Sequence, residues 1–356
     1  MARNLTIGQH QIGDDTRCYV IAEVGHNHQG SVKTCMDLFH AAKEAGVSAV
    51  KLQKRNNRTL YTKAAYDRPY DNENSYGPTY GAHREALEFG PAEYKDLQQY
   101  CSEIGVDFFS TAFDFESADF LQSIDVPAYK IASGDLKNTP LLKHVASFGK
   151  PMIVSTGGGS LDDVRRAHDA VMPINSQLSI LQCTAGYPAN WDELNLAVIG
   201  TYREMFSDAT IGFSSHDNGI SMAVAAYVLG ARIIEKHFTL NRAWKGTDHA
   251  FSLEPVGMRK MVRDLERTWQ AMGDGQKGIY PSEVVPITKM GKKLVAARAL
   301  PTGHVLLRED ICLKSPGDGL PPYELDTVIG QTLLQPVNED DEFSFQIMTK
   351  TPEFAR

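Results

Sequence analysis

Several large classes of protein are excluded by what this chain of 356 residues lacks. It has five cysteines, Cys18, Cys35, Cys101, Cys183 and Cys312, scattered, odd in number and without a CxxC pair. That rules against a disulfide scaffold or a zinc-ribbon site and predicts reduced thiols in the cytoplasm. No run approaches the roughly 18–20 apolar residues of a membrane span, and the opening MARNLTIGQHQIGDD has no apolar signal core. Neither membrane insertion nor secretion is expected. Basic residues are in deficit: 36 Lys and Arg face 44 Asp and Glu, a formal net charge of −8. Nucleic acid and anionic membrane are therefore poor partners, and an anionic ligand would need a locally basic pocket. A GxGxxG turn after the first strand-like run is also missing, and with it the main signature of a dinucleotide-binding sheet.

What is present is an alternation. Short β-branched runs, CYVIAEVG (18–25), AVKLQ (49–53), VDFFSTAF (106–113), PAYKIASG (127–134), PMIVSTGG (151–158), LSILQCTA (178–185), ATIGFSSH (209–216) and ARIIEKHF (231–238), alternate with helix-period segments. VKTCMDLFHAAKEAG and EYKDLQQYCSEIG are examples of these segments, each closing on Gly. MAVAAYVLGA is apolar enough to predict a more buried helix, and MRKMVRDLERTWQAMG (258–273) follows the last strand. Eight strand-then-helix units with continuous strand apolarity predict a closed parallel (β/α)8 TIM barrel. The barrel is expected over 1–280, with an N-terminal extension over 1–17. A linker (281–294) and a small, mostly β domain (295–356) follow. The connection from 54 to about 90, rich in Tyr, Asn and Arg, is long enough to be a lid.

In such a barrel the chemistry lies at the C-terminal strand ends. Those ends carry Glu23, Lys51 with Gln53, Thr111 with Asp114, Lys130 with Ser133, Ser155 with Thr156, Thr184, Ser214 with His216, and Glu235 with His237. His216 and His237 end neighbouring strands, where two neutral imidazoles could hold one divalent cation, with Mn²⁺, Zn²⁺ and Fe²⁺ all chemically suitable. Lys51 and Lys130 admit three readings. They are ion-pair partners of Glu23 and Glu235, or one is a Schiff-base lysine, or both hold an anion together with Ser133, Ser155 and Ser214. The neighbouring serines favour the anion site. Glu23 can serve as a general acid or base, as a partner of Lys51, or as both.

The same residues carry a family likeness. AEVGHNHQG (22–30), VKLQ (50–53), AYKIASG (128–134), STGG (155–158), QCTAGYP (182–188), GFSSH (212–216), EKHF (235–238) and KGTDHAFSLEP (245–255) resemble, in order and spacing, motifs of the N-acetylneuraminate (sialic acid) synthase family. KSPGDGLPPYEL (314–325) is similar to its C-terminal antifreeze-like (SAF) domain. The resemblance implies condensation of phosphoenolpyruvate with an aldehyde sugar of N-acylmannosamine type in a domain-swapped homodimer. It further implies Mn²⁺ or Mg²⁺ on His216 and His237, and Glu23 as the acid/base residue. Lys51, Thr111, Lys130, Ser133, Ser155 and Ser214 would take phosphoenolpyruvate, and Asn74, Tyr187 and Asp248 the sugar. Ala185 and Ser315 stand where bacterial members usually carry Asn and Arg, which leaves a related or phosphorylated acceptor open. A barrel aldolase using pyruvate and a sugar-binding protein are the competing functions.

Overall fold

All eight apolar runs form strands of one closed parallel barrel, preceded by a hairpin that the sequence reading left unassigned. The computed structural model describes residues 3–350. The hairpin pairs β1 (Asn4–Ile7) with β2 (His10–Gly13). The barrel comprises β3 (Tyr19–Gly25), β4 (Ala49–Lys54), β5 (Asp107–Ala112), β6 (Tyr129–Ile131), β7 (Met152–Ser155), β8 (Leu178–Cys183), β9 (Thr210–Ser215) and β10 (Ile233–His237), with β10 closing on β3.

Helical periodicity seats the outer layer. The helix Val32–Glu44 is capped by Ser31, whose hydroxyl accepts from the Thr34 N–H, and it buries Cys35, Leu38, Phe39 and Ala42. That i, i+3, i+4, i+7 stripe turns one face to the barrel. The helix Pro91–Ile104 starts on proline, is tied at its entry by Glu93 to the Gly90 N–H, and stops at Gly105, whose φ of 68° suits glycine. The helix Ser221–Val228 departs from expectation. It buries Ala223, Ala226 and Tyr227 but leaves Val228 and Leu229 exposed.

The hairpin closes the N-terminal end of the barrel. Leu5, Ile7 and Ile12 are buried, and Gly8, in the two-residue turn, leaves no room for a Cβ against Asp107, the first residue of β5. Asp107 also accepts from the Tyr19 hydroxyl at 2.8 Å.

The chain divides into two compact units, Met1–Gly273 and Asp274–Arg356. The second unit has a small core around Leu294, Leu306, Val328 and Phe343. Two antiparallel pairs frame it, β11 (Lys293–Ala296) with β12 (Ile311–Lys314) and β13 (Gln331–Leu333) with β14 (Met348–Lys350). Its buried Asp310 is satisfied by Arg298, His304 and the Leu307 N–H. The stretch 281–294 is more ordered than a plain linker and holds the helix Pro281–Met290.

Candidate active site

Strand pleating places alternate side chains inside the barrel, and parallel register decides which of them meet. His237 pairs with Glu23, and Glu23 with Lys51, on three successive strands. Lys130 lies beside Thr111, and Glu235 beside Ser214. At the mouth these residues line a cavity of about 680 Å³, within the range typical of small-molecule sites. Every site residue expected from the sequence reaches its wall: Glu23, Lys51 and Thr111; Lys130, Ser133 and Ser155; Ser214, His216 and His237; and Asn74, Tyr187 and Asp248. Three other strand-end residues do not. Asp114 caps the helix Phe115–Ser123, Thr156 donates to the Leu181 carbonyl, and Thr184 donates to the Glu193 carbonyl.

The floor is a buried array of opposite charges. Lys51 Nζ lies 2.5 Å from Glu23 Oε2, donates to Thr111 Oγ1 at 2.6 Å, and is 3.9 Å from Glu235 Oε1. Lys130 Nζ is 3.7 Å from the same Glu235 oxygen. The ion pairs anticipated for these lysines are thus present, and they leave both ammonium groups aimed into the cavity. Gln53 Nε2 donates to Glu23 Oε1 at 2.6 Å. Gly25, with φ 53°, ends β3 where a Cβ would press on both groups at 3.1 Å.

Environment separates the two carboxylates. Burial raises the Glu23 carboxyl above its usual range; Lys51 opposes the rise and Glu235 adds to it. Burial also acts on Glu235, but Lys130 and Lys51 outweigh it and hold this group below the usual range. Burial lowers the Lys130 ammonium from its ordinary value, and Glu235 resists that.

Beside this array the His216 and His237 rings lie 5.3 Å apart, centre to centre. His216 Nδ1 is 2.8 Å from the Thr184 carbonyl, so it must donate there, which leaves Nε2 as the nitrogen available to a cation. Burial opposes the charge on this ring, but Cys183 and the Thr184 carbonyl outweigh it and raise the group above its ordinary value. Burial pushes His237 down to about 3, so its imidazole is neutral at ordinary pH. Its Nδ1 has no hydrogen-bond partner among the described residues, nor do Ser155 Oγ and Glu235 Oε2. Buried polar atoms are seldom left in that condition unless a ligand or ion completes them. Two imidazoles, each ligating through an unprotonated nitrogen, would fit a cation whose other positions come from substrate or water; among the described residues no cluster of three His, Cys, Asp or Glu is set for a closed site.

The long connection is a lid in form. Asn74 Oδ1 accepts from the Gly246 N–H at 2.9 Å, and the Tyr76 hydroxyl donates to the Lys245 carbonyl at 2.6 Å, fastening 54–90 to the loop that carries Asp248. This connection adds two cavity residues that sequence reasoning missed, Arg55 and Arg84. Nothing in an aperiodic, Arg-rich stretch marks which guanidinium turns inward.

A parallel (β/α)8 barrel with paired lysines, buried carboxylates and two imidazoles at its mouth has the make-up of a site for anionic ligands. The comparisons make the class specific. The NeuB family model matches residues 38–277 and the SAF domain model matches 293–342. N-acetylneuraminate-9-phosphate synthase of Homo sapiens is 37% identical over 331 residues, covering 93% of this chain and 92% of that protein. N,N'-diacetyllegionaminic acid synthase of Legionella pneumophila is 34% identical over 327 residues, covering 90% and 92%. The crystal structure of N-acetylneuraminic acid (sialic acid) synthetase from Leptospira borgpetersenii, in complex with citrate, superposes with a TM-score of 0.71 at 30% identity, covering 81% of this chain and 96% of that one. The chain belongs to the NeuB family.

Proposed function

We propose that this chain is a nonulosonate synthase that condenses phosphoenolpyruvate with an N-acylmannosamine-type aldehyde sugar. Phosphate is released, and the product is a 2-keto-3-deoxy sugar acid such as N-acetylneuraminate. The observation that carries the reading is the meeting of two buried lysines, a cluster of hydroxyls, an acid/base carboxylate and two imidazoles in one cavity of a NeuB barrel.

In the reaction C3 of the enol phosphate bonds to the aldehyde carbon, water adds at C2, and the C2–O bond to phosphate breaks. Lys51 and Lys130, with Thr111, Ser133, Ser155 and Ser214, hold the phosphate and carboxylate oxygens as charge-assisted hydrogen bonds. Glu23 exchanges the proton between the aldehyde oxygen and solvent, and its raised pKa suits a group that must both give and take one. Asn74, Tyr187 and Asp248 hold the sugar. A divalent cation, Mn²⁺ or Mg²⁺, on His216 and His237 supplies Lewis-acid polarisation when bound. The functional division is a barrel over 1–280, a linker over 281–294 and an SAF domain over 295–356.

A domain-swapped homodimer belongs to the same proposal. Ile279, Val285 and Met290, in and beside the helix Pro281–Met290, are 82%, 75% and 62% exposed in the single chain, an apolar set that a second copy would cover. The five cysteines are free, and no helix among the described residues is long and apolar enough to cross a membrane, which supports placement in the cytoplasm.

The test is phosphate release from phosphoenolpyruvate across N-acetylmannosamine, its 6-phosphate, mannose and a 2,4-diacetamido hexose, with and without EDTA. Metal-dependent release requiring one sugar, with a matching 2-keto acid, is expected, and loss of metal and turnover in His216→Ala and His237→Ala should accompany it. Uptake of pyruvate trapped by borohydride on Lys51 or Lys130 would replace the proposal with an aldolase.

A further inference from the structure

The proposed chemistry gives no task to Gln53 or Arg55, although both line the cavity. Gln53 shares a face of β4 with Lys51, and Arg55, 7% exposed, follows the strand. Among the described residues Arg55 enters no ion pair; Glu88 nearby is taken by Lys54 at 3.0 Å. Burial and then Arg84 work against the charge of Arg55. What holds its guanidinium is a ring beneath it and a polar contact on each arm. Cζ stands over Phe113, 3.8 Å from the ring centre, and Nη1 lies 3.0 Å from His26 Nε2. On the other arm Nη2 donates to Gln53 Oε1 at 2.6 Å.

That last bond decides which way the Gln53 amide faces. A carboxamide is nearly symmetric in shape but not in chemistry, since one end donates and the other accepts. Left alone, Gln53 could present either end to Glu23. A guanidinium has only donors, so the amide atom opposite Arg55 must be Oε1. The atom opposite Glu23 is then Nε2, which donates to Glu23 Oε1 at 2.6 Å. The three residues form a directed chain in which the positive charge of Arg55 polarises the amide and strengthens its donor end. Glu23 is thereby held at both oxygens, by Gln53 at Oε1 and by Lys51, 2.5 Å from Oε2.

The direction of the chain matters most when Glu23 carries a proton. A carboxylic acid can donate to a flipped amide as readily as it accepts from this one, and a proton committed to Gln53 is withheld from an aldehyde oxygen. Arg55 closes that alternative, because the flip would set the Gln53 NH2 against guanidinium donors. We propose that Arg55 is a positioning residue for Glu23, acting through Gln53: it fixes the amide so that Glu23 is always offered a donor and keeps its own proton for the substrate. The role of Glu23 rests on the synthase reading, while the relay itself rests on the two hydrogen bonds. Arg55 need touch neither substrate to act in this way.

The experiment has two arms, both on the full-length protein. The first needs no substrate. With glutamine side chains labelled with heavy nitrogen, and the Gln53 signals identified by their loss in Gln53→Met, NMR follows exchange of the amide protons with solvent. The Gln53 protons should exchange about 10-fold faster in Arg55→Met than in the parent, and at an intermediate rate in Arg55→Lys, which keeps the charge and a donor. The second arm is steady-state kinetics with the sugar that supports phosphate release. Arg55→Met should lower kcat about 10-fold and leave both KM values within about 2-fold, with part of the loss recovered in Arg55→Lys. In a Gln53→Met background Arg55→Met should cost nothing further. Unchanged amide exchange in Arg55→Met would overturn the proposal whatever the kinetics show. A raised KM with kcat intact would overturn it in favour of direct contact with a substrate, and so would an equal loss of kcat with and without Gln53. If no sugar supports turnover in the parent, the synthase reading falls and the exchange arm alone decides the relay.

Discussion

At the scale of the residue, the site is a contest between burial and charge, and single substitutions should expose who wins. Lys130→Ala removes one of two ammonium groups from the anion wall and deprives Glu235 of a partner. A charged hydrogen bond contributes about 1.5–3 kcal/mol, so the KM for phosphoenolpyruvate should rise about 10- to 100-fold, with a smaller change for the sugar. An unchanged KM in steady-state assays would remove Lys130 from that wall. His28 offers a pH test away from the imidazole pair. It stacks on Phe89, its Nδ1 accepts from the Gly30 N–H, and burial holds it at about 3. The unfolded chain therefore binds the extra proton between about pH 6.5 and 3, and stability falls with pH through that window. The slope per such histidine is about 1.4 kcal/mol per pH unit. His28→Leu should flatten the fall of Tm below pH 6.5, and an unaltered profile would show that His28 is not held neutral. Sequence order made most site residues legible because strand ends are fixed by the fold. Arg55 and Arg84 were not legible, because their inward turn is set by Phe113, Tyr80 and His26, contacts that no local pattern encodes.

At the scale of the element, β9 and β10 present one face to the cavity and another to the helices outside, and at their C-terminal ends both faces are polar. Inside stand Ser214, Glu235, His216 and His237; outside, Lys236 Nζ donates to Ser215 Oγ at 2.8 Å and to the Asp217 carbonyl and Oδ1 at 2.5 and 3.0 Å. Lys236 and Asp217 are each 1% exposed, so this pair ties the loop leaving His216 to the strand that ends in His237. Lys236→Met would strand the Asp217 carboxylate, at a cost of about 3–5 kcal/mol. Urea titration should show that loss, and Lys236→Met with Asp217→Leu should recover much of it. A single variant as stable as the parent would contradict the role. The eight strands were readable from β-branched runs and the main helices from apolar spacing. The hairpin was passed over although Gly8 sits between LTI and HQIG, a short-turn signal too brief to outweigh the longer runs around it. The helix Pro281–Met290 was hidden for the opposite reason: none of its residues is buried and Pro286 interrupts it.

At the scale of the whole molecule, the apolar surface in and around the helix Pro281–Met290 puts the proposed homodimer to the test. Sedimentation should give a dimer, and Val285→Glu with Ile287→Lys should shift it to monomer. A parent protein that is monomeric at micromolar concentration would remove the homodimer from the proposal. The closed barrel floor has a different consequence. With the hairpin stoppering the far end, the cavity is a blind alley. The lysines lie at its inner end, 1% and 3% exposed, while Tyr187 stands at the lip, 57% exposed. With the proposed roles of these residues, a sugar at the lip would block the way to the inner berth, and the enol phosphate should be seated before it. Initial-rate patterns should show compulsory order, with an unreactive sugar analogue acting uncompetitively against phosphoenolpyruvate; in a passage open at both ends either guest could enter first.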